Sequence, residues 1–245
     1  MISTIWGRLN PPYRTIVADP PWPYGDGATL GQRPSGRTRF LPYSVMTMAE
    51  IASLPVADLG VCDAHLYLWT TERFLWQAPE VLDAWGFVQS DLLVWCKPPG
   101  GSVLGSAFTP AAEFVVFGRR KWGDAIREAR LAAGLSITGL QRAVRGSTTG
   151  LASMWERSVR YPNDEDWARL ESALGARFER AGHPKGTDRN WFVWPRGPHS
   201  AKPAAFADLV GQVSPGPYVE LFARQPRLGW DHWGRGYETS RELAR

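Results

Sequence analysis

The chain has 245 residues, 44% of them hydrophobic and 21% charged, which suits one catalytic domain plus a module of about sixty residues and excludes a disordered or fibrous chain. The net charge of +4 is compatible with a polyanionic partner but does not specify one. The two cysteines, Cys62 and Cys96, stand in separate apolar segments; this excludes a disulfide framework or a cysteine metal site, and two buried thiols are expected. Met1–Trp6 has no charged stretch followed by an apolar one, and no apolar run is long enough to span a bilayer. A soluble, cytoplasmic protein with no metal and no membrane partner is expected, its oligomeric state open.

The first strand is read at Tyr13–Ala18, a short apolar run ending at Asp19-Pro-Pro-Trp22. Residues 25–40 are rich in Gly, Arg and Ser and read as a loop. Thr47 and Glu50 form a capping box that opens a helix. Strand His65–Trp69, helix Glu72–Trp85 closed by Gly86, and strands Ser90–Trp95 and Glu113–Phe117 follow. This alternation predicts a mostly parallel sheet covered on both faces. After Arg120 the pattern changes to short amphipathic helices, read at Asp124–Ala133, Ile137–Val144, Thr148–Arg157 and Asp164–Leu174, with Ser136 and Asn163 as N-caps. Strand Trp191–Trp194, helix Pro203–Val213 and strand Tyr218–Phe222 return to the α/β pattern. The reading is therefore an α/β domain (residues 1–120 and 188–245) interrupted by an all-α insert (121–187).

The tetrapeptide Asp19, Pro20, Pro21, Trp22 is the chemical signal. Methylating an exocyclic amine requires acceptors that hold the amine, an aromatic that grips the base, and exclusion of water. Here the Asp19 carboxylate accepts one amine hydrogen, a proline carbonyl preset by its fixed φ accepts the other, and Trp22 stacks on the flipped base. A bare Asp-Pro-Pro more often only ends a strand and caps a turn. Its place at the C-terminal end of an apolar strand, where open α/β sheets bind ligands, favours the functional reading.

The chain resembles the MT-A70-like adenine methyltransferases. The likeness is carried by Val17–Trp22, Leu66–Trp69, Leu93–Trp95 with Lys97, Glu113–Gly118, His199–Pro203 and Glu220–Arg224, with Gly229-Trp230 and Trp233-Gly234 near the end. It implies a Rossmann-like fold whose catalytic motif precedes the cofactor strand, and S-adenosylmethionine as cofactor. No Gly-x-Gly loop follows a strand in this chain, as that order would have it. The resemblance further implies that Glu220 holds the cofactor ribose and that Phe222 and Arg224 line its pocket. Lys202 would meet the methionine carboxylate, with His199, Ser200 and Asp19 also on the cofactor side. Tyr43, Lys97 and Glu113 fall at substrate-side positions together with Trp22. The sequence departs from the family where Arg235 replaces an asparagine that contacts the ribose.

The insert resembles the helix-turn-helix of phage repressors through Gly134–Ser136, Leu140–Ala143, Trp155–Arg157 and Tyr161-Pro162. That likeness implies a groove-reading helix at 148–157, with Thr148, Thr149 and Ser153 facing bases and Arg142, Arg145, Arg157 and Arg160 facing phosphate. A helical decoration or an oligomer contact is the alternative, and the acidic run Asp164–Asp166 favours it. Together these features imply adenine-N6 methylation of DNA before RNA. A DNA-binding regulator with a silent methyltransferase domain is the reading from another class, and cytosine-N4 transfer would use similar acceptors.

Overall fold

The computed structural model describes residues 6–7, 9–24, 45–98, 110–145, 150–195 and 201–234, and the backbone alone of 29–32, 38–40 and Arg145. In chain order the elements are β1 (Tyr13–Ala18), β2 (Thr29–Gln32), β3 (Thr38–Phe40), α1 (Met48–Ala52), β4 (Gly60–Thr70), α2 (Ala78–Ala84), β5 (Phe87–Cys96) and β6 (Ala112–Arg120). The helices α3 (Trp122–Ala132), α4 (Ile137–Arg145), α5 (Leu151–Glu156) and α6 (Asp164–Leu174) follow. The chain then forms β7 (Trp191–Val193), α7 (Ala204–Val213), β8 (Tyr218–Leu221) and β9 (Trp230–Trp233).

Among the described residues one sheet has seven strands in the order β7-β5-β6-β4-β1-β8-β9, and β2 pairs with β3 in a separate ribbon. β1 runs parallel to both β4 and β8, as β8 does to β9 and β5 to β7. β6 runs antiparallel to both its neighbours, β4 and β5. The Glu113–Phe117 strand is therefore the reversed one in a sheet that is otherwise parallel, a direction that its apolar pattern does not encode. Glu113, at its start, consequently lies beside the C-terminal ends of the parallel strands.

Two faces follow from the period of two along each strand. Ile16, Ala18, Leu66, Leu68 and Val116 pack with α1 and α2 through Ile51, Val81, Leu82 and Trp85. Val17, Tyr67, Trp69, Trp95, Val115 and Phe117 pack with α7 through Phe206 and Val210. The capping box of α1 is present: Glu50 N–H donates to Thr47 Oγ1, and Thr47 N–H to the Glu50 carboxylate. The helix read at Glu72–Trp85 is shorter than its pattern. Glu72–Phe74 is a single tight turn, and α2 starts only at Ala78, because Pro79 has no N–H to give and fits the first turn of a helix. Gly86, at φ +79°, ends that unit in a conformation that costs a side-chain-bearing residue energy.

Helices α3 to α6 bury a cluster of their own around Trp122, Ile126, Leu140, Trp155, Trp167 and Leu170. Their N-caps match the sequence reading: Gly139 N–H donates to Ser136 Oγ, and Asp166 N–H to Asn163 Oδ1. The third of these helices is shorter than read. Gly150 takes a left-handed conformation at φ +75°, so α5 begins at Leu151. Neither cysteine is fully buried; both are partly buried free thiols, and burial together with Asp63 pushes the Cys62 thiol up to about 12. No helix among the described residues is long and apolar enough to cross a membrane.

Candidate active site

Strand parity selects the site. Asp19 continues the row of Val17, Glu113 the row of Val115 and Phe117, Lys97 that of Trp95, and Glu220 that of Tyr218. All four therefore belong to the α7 face of the sheet, at the C-terminal ends of its parallel strands. Lys202 joins them from the segment just before α7. The position is a topological switch point: β1 connects through α1 to β4 on one side, whereas α7, on the opposite face, delivers the chain to β8 on the other.

The charged groups form one alternating chain. Lys97 Nζ lies 2.5 Å from Glu113 Oε1, and Glu113 Oε2 lies 2.8 Å from Lys202 Nζ. Lys202 Nζ is 3.1 Å from Asp19 Oδ1, and Asp19 Oδ2 is 3.3 Å from Arg224 Nη2. Two tryptophans support the ammonium groups: Lys202 lies 4.4 Å over the Trp69 ring and Lys97 5.0 Å over Trp95. Burial alone would raise the Glu113 carboxyl, but Lys202 and Lys97 outweigh it and hold Glu113 below the usual carboxylate range. Burial likewise opposes the charge on Lys202, and Asp19 with Glu113 reverses that and raises its pKa. Both groups are therefore charged near neutrality, in a site poor in water.

The proline turn is closed by its own backbone. The Pro20 carbonyl accepts from Trp22 N–H at 2.9 Å, and the Pro21 carbonyl from Met46 N–H at 2.8 Å. Each keeps a second lone pair as a possible acceptor. Trp22 corrects the sequence reading. Its ring is 2% exposed, stacked on Phe74 at 5.4 Å, with Nε1 donating to the Trp69 carbonyl. It packs on the α1–α2 side of the sheet and fixes the turn from below; it is not a platform presented to a base. The strand parity that puts Asp19 in the cleft sends the residues after the two prolines to the other face.

Glu220 is buried beside this chain, and its Oε2 accepts from Arg227 Nε at 2.9 Å. Burial raises its carboxyl and Arg227 offsets only part of that. Phe222 turns the chain at φ +61° and packs edge-on against Trp233. Arg224, read as a pocket wall, pairs with Asp19. Sequence reasoning missed Arg227, Trp69 and Trp95 as site residues; the only available signal was that both tryptophans share the strand rows of cleft residues. Tyr43, Thr148, Thr149, His199, Ser200, Arg235 and the side chain of Arg145 lie outside the described residues. Among the described residues no His, Cys, Asp and Glu group could hold a metal ion.

The helical segment sits at the other end of the sheet. Asp63, near the start of β4, accepts from Tyr161 Oη at 2.5 Å and from the N–H groups of Ala181 and Gly182 at 2.6 and 3.0 Å. Arg119 pairs with Asp63 at 3.6 Å and stacks 3.9 Å from the Tyr161 ring. Asp63 and Trp69, the latter level with the Asp19 site, are separated by about 20 Å at the usual rise of a strand. Of the residues read as contacting nucleic acid, Arg142, Arg157 and Arg160 are exposed and Ser153 is half-buried.

Residues 13–102 match the MT-A70 family model, a stretch that holds the Asp19 turn, Trp69, Trp95 and Lys97. Over this stretch the chain is similar to the MT-A70 family, which supports reading it as an MT-A70-like methyltransferase. It is also similar to the type II methyltransferase M.MunI of Mycoplasma sp, at 22% identity over 237 residues, covering 91% of this chain and 76% of that protein. The mixed seven-stranded α/β sheet is consistent with a Rossmann-like methyltransferase fold.

Proposed function

We propose that this methyltransferase takes its methyl group from S-adenosylmethionine and places it on N6 of an adenine in DNA, the base being turned out of the duplex into the Asp19 site. The observation that supports this best is the Asp19 carboxylate. It is held by two cations at the switch point, directly before two proline carbonyls that each retain an acceptor lone pair.

The donor groups suit the cofactor. Glu220 is a buried carboxylate able to accept ribose hydroxyls, Lys202 is a cation able to meet the methionine carboxylate, and Phe222 and Arg224 would line the pocket. When bound, the cofactor would supply a methyl group on positively charged sulfur, reactive toward an amine lone pair. The protein's part is then positional. Asp19 accepts one N6 hydrogen and a proline carbonyl the other, which turns the nitrogen lone pair toward the methyl carbon. Methyl transfer would leave positive charge on that nitrogen, and the Asp19 carboxylate is aimed at it. The extra proton leaves afterwards, so no strongly shifted general base is required. Lys202 and Arg224 hold Asp19 in one orientation.

We further propose that residues 121–187 act as a module that contacts the duplex, through Arg142, Arg157 and Arg160 with Arg145. Asp63, where this segment joins the sheet, stands about 20 Å from the level of Asp19, or about six base pairs of duplex, so both would be reached only by a substrate longer than the target base and its neighbours. The decisive experiment supplies labelled S-adenosylmethionine to duplex DNA, single-stranded DNA and RNA, followed by digestion to nucleosides. N6-methyladenine in duplex DNA, abolished in Asp19→Ala, is expected. Label confined to RNA, or to cytosine N4, would replace the substrate assignment. Cofactor binding without transfer to any polymer would favour the regulator reading.

A further inference from the structure

We infer that Arg227 is a positioning residue for the cofactor ribose, acting through Glu220. The inference rests on the reading of Glu220 as the ribose acceptor and adds to it a residue that neither motif nor family likeness marked.

The geometry is built by the short connection between β8 and β9. Phe222 at φ +61° turns the chain out of β8, and the next residues return it to β9, where His232 pairs in register with Glu220. Arg227 is held twice on this path. Its backbone N–H donates to His232 Nε2 at 2.5 Å, and its guanidinium lies 5.9 Å from the Trp230 ring, which is itself stacked on Tyr218 at 4.8 Å. From there Nε donates to Glu220 Oε2 at 2.9 Å, while among the described residues Oε1 accepts no hydrogen bond.

A ribose diol offers two O–H donors, and an ionised carboxylate is the strongest acceptor for them. A buried carboxylate without a partner tends to take up a proton, and a protonated carboxyl loses acceptor capacity. The charges around Glu220 are Asp19 after β1, Lys202 before α7, Arg224 and Arg227 after β8, and His232 on β9. Burial and Asp19 work against ionisation of Glu220, while Arg227, then Lys202, work for it. Arg227 is thus its principal counter-charge, placed on one oxygen so that the other remains open.

The test measures binding of S-adenosylhomocysteine and its 2′-deoxyribose analogue to the full-length protein, from pH 5.5 to 8.5. The forms compared are wild type, Arg227→Gln, Arg227→Lys and Glu220→Gln. For wild type, the ribose form should bind about tenfold more tightly than the deoxy form, as for a hydrogen bond to a charged acceptor. In Arg227→Gln that preference should fall, and fall most toward the acid end of the range, since its Glu220 carboxyl is raised further. Arg227→Lys keeps the cation and should restore most of it. Glu220→Gln should lose the preference at every pH. An unchanged preference and pH profile in Arg227→Gln, with Glu220→Gln defective, would overturn the role of Arg227 and leave the ribose reading standing. A wild-type preference retained in Glu220→Gln, or no binding by wild type at all, would overturn the ribose reading and this inference with it. A loss of structure common to both Arg227 variants, seen as a lowered melting temperature without a change in preference, would also overturn it.

Discussion

Two buried aspartates, at opposite ends of β4 and its neighbour β1, show how one residue type serves structure and chemistry. Asp63 is fully buried and saturated: a tyrosine hydroxyl, two backbone N–H groups and an arginine use its acceptor capacity. Asp19 is nearly as buried, but its partners are two side-chain cations, and among the described residues no backbone N–H donates to its carboxylate. The first joins the helical segment to the sheet. The second keeps acceptor lone pairs that the described residues do not fill, which the proposed function uses. The lesson is that burial and charge alone do not identify a reactive carboxylate; what distinguishes it is the acceptor capacity left unfilled by the protein.

The sharpest way to break this comparison is to truncate both. Asp63→Ala should cost about 3–5 kcal/mol in a denaturant titration, because Arg119 and two N–H groups lose a buried partner. Asp19→Ala should change stability far less and lower methyl transfer by at least about a hundredfold. Equal stability losses in the two variants would erase the distinction. Next in size is the approach of α3 to α5. A Cβ placed on Gly123 would stand 2.2 Å from the Glu156 carbonyl oxygen, backbone that cannot move aside cheaply. Gly123→Ala should destabilise by about 3 kcal/mol, and a melting temperature within a degree of wild type would contradict that contact.

The Asp63 end also carries a pH signature. His65 donates through Nε2 to the Gly182 carbonyl, so its Nδ1 accepts from Ser214 Oγ, which fixes it as the neutral tautomer. Burial lowers its pKa to about 4. A depressed histidine contributes stability that is present above its unfolded value near 6.5 and is lost as pH falls toward 4. That acid limb should amount to at most about 3 kcal/mol and be absent in His65→Gln, measured by unfolding at several pH values. The smallest effect concerns the exposed arginines. Reversing Arg142 and Arg157 to Glu should weaken duplex binding and reduce the salt dependence by about two contacts, with cofactor affinity unchanged. An unaltered salt slope would remove nucleic acid from the role of this segment and leave a structural decoration.

The sequence by itself determined what depends on short range. The strands of the sheet other than β9, the capping box at Thr47, the caps at Ser136 and Asn163 and the Asp19 turn are all set by neighbours within a few residues. Alternation along strands likewise assigns Asp19, Glu113, Lys97 and Glu220 to one face once the sheet is known. Where local reading failed, backbone detail decided: Pro79 delayed α2, Gly150 shortened α5, and the turn after two prolines sent Trp22 into the core.

Only the tertiary structure decided which charges meet. Asp19, Glu113 and Lys202 are far apart in the chain, and the order and direction of strands, above all the reversal of β6, bring them within hydrogen-bond distance. Arg227 reached Glu220 through a turn between adjacent strands, and the helical segment went to the end of the strands opposite Asp19 because β6 ends there. The physical reason is common to all three. Hydrogen-bonded caps and side-chain alternation are local properties of a chain, whereas strand order is selected by burial of the whole sheet between two helical layers, to which every segment contributes.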